Sequence, residues 1–112
     1  MVNVCALPQG GSVQAGSVSI SDSNALIEQH SERAIVNWQS FDIGVGESVH
    51  FAQPSAQSVI LNRIFSQSPS QILGSLTANG RVFLLNPNGV VFGRDAMVNV
   101  GALFVSSLSL DN

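Results

Sequence analysis

Positive charge is scarce in this 112-residue chain, which contains four arginines and no lysine. Seven acidic residues bring the formal net charge to -3. Proteins that bind the phosphate backbone of nucleic acids need clustered cations to displace counterions, so nucleic-acid binding is not expected. Charged residues of both signs make up only 10% of the chain, and serine, asparagine, glutamine and glycine take their place. This composition is typical of β-rich, often exported proteins.

Cysteine and long apolar runs are also lacking. Cys5 is the single cysteine, which excludes an internal disulfide and a cysteine-based zinc cluster. No run reaches the roughly 18 apolar residues of a membrane-spanning helix, so stable membrane insertion is not expected. Val4-Cys5-Ala6 resembles the small-residue end of a secretory signal peptide, and an incidental cysteine at a ragged start is an equally good interpretation. The first interpretation makes residues 1–6 a residual signal-peptide end, and residues 7–112 then form one domain.

Short apolar runs separated by turn residues recur along the chain. From residue 41 onward, apolar pairs return about every 8 to 12 residues, which fits a sandwich, a barrel or a coil of short parallel strands. Alternation predicts which side chains share a face: Val49 lies with Phe51, and Ile60 lies with Asn62 and Ile64. The spacing predicts an all-β fold and leaves these three architectures open.

The sequence Asn86-Pro87-Asn88-Gly89 predicts a tight turn between two apolar runs. Proline presets the backbone angle of the second turn position, and the preceding asparagine can bond its side chain back to the backbone. Asn88 tolerates the third position, and Gly89 suits the fourth. Each residue therefore fits its place in a type I turn.

Three further local features carry structural predictions. Apolar parity changes at Gly16, which predicts a bulge or bend there. Runs 82–85 and 90–92 are nearly continuous in apolar residues, which predicts strands covered on both faces. In segment 97–110, apolar residues of one parity, including Val98 and Phe104, are expected to share one face.

Several segments in serial order carry a resemblance to a known family. Together they resemble the two-partner-secretion, or haemagglutination-activity, domain at the N-terminus of filamentous-haemagglutinin-like exoproteins. Segment 7–11 is also similar to the mature start of that domain. The matching segments are 34–44, 48–51, 61–63, 71–74 and 79–93.

The resemblance implies a right-handed parallel β-helix with antiparallel cap strands near its N-terminus. It implies a secretion-recognition domain of a large surface or secreted exoprotein, exported through the periplasm. The implied partner is an outer-membrane transporter barrel that recognises the domain through periplasmic domains. The family domain continues beyond the equivalent of residue 112, so we expect a partial domain, truncated at the C-terminal end, whose open last coil self-associates.

The resemblance also marks candidate site residues. The 86–89 turn is the family's signature motif, which implies a role in secretion, although shaping a corner of the fold explains these residues adequately. Asn37, Trp38 and Phe41 are candidates for partner contact. Aromatic residues in an alternating apolar strand are more often core, and we expect that of Trp38 and Phe41.

An enzyme is the least favoured interpretation. Polysaccharide-cleaving enzymes bring carboxylates together in a groove, whereas the acids of this chain are scattered along it. Asp42 and Glu47 flank a glycine-rich turn and are expected to be solvated there. His30 and His50 are isolated, and no nucleophile elbow accompanies them. We expect no catalytic residue, metal or cofactor, and the main alternative is an adhesin module that binds host glycan, protein or haem.

Overall fold

Short β-strands wind into a β-solenoid of about four coils, as the computed structural model of residues 7–21 and 25–107 shows. The strands are β1 Ser12–Ala15, β2 Val18–Ile20, β3 Leu26–Gln29, β4 Arg33–Trp38, β5 Ser48–Ala52, β6 Val59–Ile64, β7 Ser70–Ile72, β8 Ser75–Ala78, β9 Arg81–Leu85, β10 Val90–Phe92, β11 Met97–Asn99 and β12 Ala102–Ser106. The described residues contain no helix able to cross a membrane.

Each coil contributes one strand to each of two large sheets. We call β1-β4-β6-β9-β12 the front sheet, β11-β8-β5-β3-β2 the back sheet and β10-β7 the side sheet. Pairing between successive coils is parallel in all three sheets. The first coil holds β3 and β4, the second β5 to β7, the third β8 to β10, and the fourth β11 and β12. This arrangement confirms the predicted parallel β-helix and removes the sandwich and barrel alternatives.

Two antiparallel strands flank the first coil. β1 pairs antiparallel with β4, and β2 pairs antiparallel with β3. Gly16 turns the chain between β1 and β2 with a φ of 80°. A side chain there would adopt an unfavourable backbone conformation and would place its Cβ 2.3 Å from the carbonyl oxygen of Arg33. The predicted bend at Gly16 and the antiparallel cap strands are both confirmed.

The core fills the interior of the coils, because alternate residues of each strand point inward. Val49 and Phe51 of β5 are fully buried, and so are Ile60 and Asn62 of β6, as their alternation predicts. Truncation of a buried aromatic side chain such as that of Phe51 to alanine lowers the free energy of unfolding by about 3 to 5 kcal/mol. The buried apolar residues within the described ranges are Ile27, Ala34, Val36, Trp38, Phe41, Ile43, Val49, Phe51, Ile60, Ile64, Ile72, Leu76, Val82 and Leu84.

Two of the strand predictions are wrong. In β10, Val91 is 50% and Phe92 39% exposed, so this strand is not covered on both faces. In segment 97–106 the inward parity changes at the Gly101 corner: Leu103 pairs with inward-facing Val82 and packs on the core, whereas Phe104 faces outward. A corner interrupts the alternation of a strand, so the inward parity before it does not determine the inward parity after it.

Some sequence predictions concern residues outside the described ranges. They are the signal-peptide end at residues 1–6 and the part of segment 97–110 from residue 108 onward.

Candidate functional site

The 86–89 corner joins β9 of the front sheet to β10 of the side sheet. The backbone N–H of Gly89 donates to the carbonyl oxygen of Asn86 over 2.8 Å, which closes the turn. The N–H of Asn88 donates to Oδ1 of Asn86 over 2.9 Å. Gly89 has a φ of 100°, which glycine adopts at little cost. The turn predicted from these four residues is therefore present.

The buried Asn86 side chain ties this corner to the preceding coil. Its Nδ2 donates to Oγ of Ser70 over 3.0 Å and to the carbonyl oxygen of Ser68 over 3.2 Å. Asn88 adds a bond from its Nδ2 to the carbonyl oxygen of Ser66 over 2.8 Å. The corner therefore holds the second and third coils in register through side chains as well as through strand pairing.

The four residues of the corner divide into two pairs by exposure. Asn86 is fully buried and Gly89 half-buried, whereas Pro87 and Asn88 are exposed. The backbone N–H of Asn86 also donates to the carbonyl oxygen of Ser106 in the fourth coil over 3.0 Å. Asn86 and Gly89 thus maintain the fold of the corner, whereas Pro87 and Asn88 are accessible to a partner.

Trp38 and Phe41 lie in the core, as we expect from their strand pattern. Their rings meet edge to face at 5.6 Å between centroids, and Phe41 stacks near Phe51 at 6.3 Å. Asn37 faces outward, half-buried, and its Oδ1 accepts a hydrogen bond from Nε of Arg63 over 2.7 Å. The folded domain does not present the two aromatic rings to a partner, and these residues belong to the first coil rather than to the 86–89 corner.

Buried amide side chains inside the coils are a feature that the sequence patterns did not predict as a group. Gln53 Nε2 donates to Oε1 of Gln29 over 3.1 Å and to the carbonyl oxygen of Arg81 over 3.2 Å. Its Oε1 accepts from the N–H of Gly80 over 2.8 Å. Gln29 Nε2 in turn donates to the carbonyl oxygen of Val59 over 2.9 Å. Gln29 and Gln53 thus form an amide ladder that runs through three coils where the back sheet meets the front sheet.

A second amide links coils inside the front sheet. Asn62 Oδ1 accepts from Nε1 of Trp38 over 2.9 Å, and its Nδ2 donates to the carbonyl oxygen of Phe83 over 3.1 Å. The sequence signal for this link was the polar residue Asn62, which has the same strand parity as the apolar residues Ile60 and Ile64. Such a residue needs internal partners, because burial removes its bonds to water.

The two histidines and Asp42 each bond a neighbouring hydroxyl or backbone group. His30 bonds Ser19 Oγ over 3.1 Å, and His50 bonds Thr77 Oγ1 over 2.7 Å, both on the exterior. Asp42 Oδ1 accepts from the N–H of Gln71 over 2.8 Å. Within residues 7–21 and 25–107, no three of His, Cys, Asp and Glu are placed to hold a metal ion.

Comparison with known proteins identifies the family. The family model of the TPS secretion domain matches residues 5–111. Two heme/hemopexin-binding proteins of Haemophilus influenzae, one from strain Rd, are 44% and 41% identical over 107 residues. Those matches cover 94% and 93% of this chain but only 12% of each relative.

A solved structure agrees with the sequence matches. The crystal structure of the HMW1 secretion domain from Haemophilus influenzae superposes with a TM-score of 0.85 at 36% identity, over 94% of this chain and 28% of that one. The β-solenoid, its antiparallel cap and these matches agree along nearly the whole chain. This chain therefore belongs to the TPS secretion-domain family, the secretion-recognition domains of two-partner-secretion exoproteins.

Proposed function

We propose that an outer-membrane transporter barrel recognises this domain in the periplasm and that the β-solenoid forms outside the cell. The observation that carries the proposal is the coil-by-coil construction of a domain in this family. Each coil completes its sheets by pairing with the coil before it, so folding can follow the order in which the chain emerges. Folding outside the cell makes return of the chain to the periplasm unfavourable, so export needs no nucleotide hydrolysis.

The amide side chains support this order of folding. Gln29 of the first coil bonds the backbone of the second coil, and Gln53 of the second bonds the backbone of the third. A coil that has already formed thus offers polar groups as well as strand edges to the next one. Each such bond adds about 1 kcal/mol, and leaving a buried amide unpaired costs more.

For recognition, we propose backbone pairing between the unfolded or partly folded segment and a sheet of the transporter. Strand addition of this kind depends mainly on the main chain and tolerates sequence variation. All four residues of β1 are exposed, and β1 lies at the edge of the front sheet, so its outer edge is accessible for pairing. Cross-links from the transporter that fall only on the outer faces of fully folded coils would contradict this mode.

We further propose that the domain is not an enzyme, needs no cofactor and resides on the cell surface or in the medium after export. The binding named for the two relatives belongs to proteins of which this chain spans 12%. Both described histidines are bonded to hydroxyl groups on the exterior of the coils. We therefore propose that haem is not a ligand of this domain.

Export of a reporter tests the central proposal. The 112-residue chain is fused behind a signal peptide to a reporter and produced with or without a cognate transporter. We expect reporter in the medium only when both the domain and the transporter are present. Reporter retained in the periplasm in the presence of a transporter that exports its own natural substrate would contradict the proposal.

A further inference from the structure

The outer faces of the two large sheets differ in chemistry. Outward positions of the back sheet carry mainly serine, threonine, histidine and other polar residues. Those of β4, β6, β9 and β12 in the front sheet carry mainly apolar residues and arginine, and none of them is acidic. Three of the four arginines of the chain lie on this one face, although the net charge is -3. The front sheet is therefore an apolar and basic surface on an acidic protein.

An apolar row crosses the front sheet from one edge to the other. Strand register aligns Ala15, Ile35, Leu61, Phe83 and Phe104 across five strands. Five strands at a spacing of about 4.8 Å give a row of about 19 Å. The rings of Phe83 and Phe104 stack with centroids 4.4 Å apart, and Phe104 is 47% exposed. The row offers a continuous apolar strip to solvent.

Arginines flank this row on both sides. Register places Arg33, Val59 and Arg81 in line, two residues before the apolar row on their strands. Arg63 lies two residues beyond the row, beside Asn37. The two flanks are each about 6.6 Å from the row along the strands. Two cations on one side and one on the other thus frame the apolar strip.

A groove of about 420 Å³ opens between Arg33 and Arg81 over Val59, with Ile35 and Leu61 among its lining residues. Arg33 is exposed at one side of this groove. At the other side, Nε of Arg81 is buried and has no hydrogen-bond partner among the described residues. The Nη2 of Arg81 donates to the carbonyl oxygen of Gln57. The guanidinium groups of Arg33 and Arg81 give the groove positive charge on both sides, which favours an anionic oxygen acceptor between them.

We propose that the front sheet is a docking surface for an extended acidic and apolar peptide segment of a partner protein. The segment stacks along β6 with side chains i, i+2 and i+4 facing the sheet, because their spacing matches that of alternate residues in β6. An acidic side chain at i enters the groove between Arg33 and Arg81. An apolar side chain at i+2 packs over Leu61, and an acidic one at i+4 meets Arg63.

Charge favours a different protein over a second copy as the occupant. A two-fold dimer through this face would bring the same arginines of both copies together, which is repulsive. A segment with the pattern acidic, any, apolar, any, acidic meets all three cations and the apolar row at once. This inference concerns the folded domain and does not depend on the proposed export role.

Fluorescence anisotropy on the 112-residue chain tests the proposal. The probe is a short labelled peptide with a central leucine, a glutamate two residues away on each side, and serine elsewhere. We expect saturable binding that Arg33→Gln weakens about tenfold, the value of one charge-assisted hydrogen bond. Leu61→Thr should weaken binding as well. Arg94→Gln removes the fourth arginine, which is exposed in the turn after β10, and should leave the affinity unchanged.

The matched peptides complete the test. A peptide with glutamine in place of both glutamates should bind at least tenfold more weakly, and so should one with serine in place of leucine. Arg33 is exposed, so we expect Arg33→Gln to fold as the wild-type chain does, and a loss of binding in this variant reports on the docking surface. Equal binding of the glutamine peptide, an unchanged affinity in Arg33→Gln, or no saturable binding would overturn the proposal. A front-face dimer in sedimentation that Leu61→Thr dissociates would assign the surface to a second copy instead.

Discussion

Asn86 is a polar side chain at a fully buried position, and its amide makes contacts within the turn and across to the preceding coil. Substitution Asn86→Ala removes these bonds and leaves the carbonyl oxygen of Ser68 and the hydroxyl of Ser70 without this donor. Since each buried bond contributes about 1 kcal/mol or more, we expect the free energy of unfolding to fall by about 3 kcal/mol. Urea denaturation followed by tryptophan fluorescence measures this change.

Asn88 provides the matched control for that substitution. It is exposed and bonds the carbonyl oxygen of Ser66 through Nδ2, so Asn88→Ala should cost only about 1 kcal/mol. If the corner serves folding alone, reporter export should decline in proportion to lost stability in both variants. Loss of export in Asn88→Ala with stability retained would show instead that the exposed part of the corner is recognised directly.

Two glycines with positive φ allow the energetic cost of the backbone conformation to be distinguished from the effect of the position in the fold. Gly89 has a φ of 100° and Gly46 a φ of 80°, and a Cβ added at either position would meet no atom within 4 Å. Substitution of either by alanine should therefore lower the free energy of unfolding by about 1 to 2 kcal/mol through backbone conformation alone. Thermal unfolding followed by circular dichroism measures both. A loss in Gly89→Ala more than twice that in Gly46→Ala would show that the corner has structural demands beyond its backbone angle.

At the scale of the element, the amide ladder is the feature most sensitive to substitution. Gln53→Leu keeps a similar volume but leaves the N–H of Gly80 and the carbonyl oxygen of Arg81 without their side-chain partner. We expect a loss of about 3 kcal/mol or more in the free energy of unfolding. Gln57→Leu makes the same change at an exposed position and should alter stability by about 0.5 kcal/mol or less. Equal stability of the two variants in urea would refute a structural role for the ladder.

The sequence predicted those elements whose alternation is read within one strand. Val49 was correctly grouped with Phe51, and Ile60 with Asn62 and Ile64, because each strand keeps its own period of two. The shared face of Val98 and Phe104 and the covering of Val91 were predicted wrongly, because they depend on the corner between strands and on what lies outside the coil. The geometry of the 86–89 turn followed from local chemistry, whereas the partners of Asn86 come from a coil 16 and 18 residues earlier in sequence.

For the whole molecule, the coils stack in one direction and end on strands β11 and β12, each at the edge of its sheet. Inward-facing Val98 and Val105 are 39% and 44% exposed there, because no described residue covers that end. Apolar side chains and unpaired strand edges together promote association between copies. We therefore expect the isolated 112-residue chain to self-associate, with a sedimentation coefficient that rises with protein concentration.

Substitution Val105→Lys tests the origin of this association. A lysine at the open end carries charge into the stacking surface and should shift the chain to monomer, since charged residues on edge strands oppose pairing. Val45→Lys adds the same charge in the turn between β4 and β5, where Val45 is 78% exposed, and should leave association unchanged. Sedimentation velocity compares both variants with the wild-type chain over a range of concentrations. Of the two substituted positions, only Val105 lies in the stacking surface. Stacking through the fourth coil would therefore be excluded if the wild-type chain stayed monomeric throughout, or if both substitutions changed its association equally.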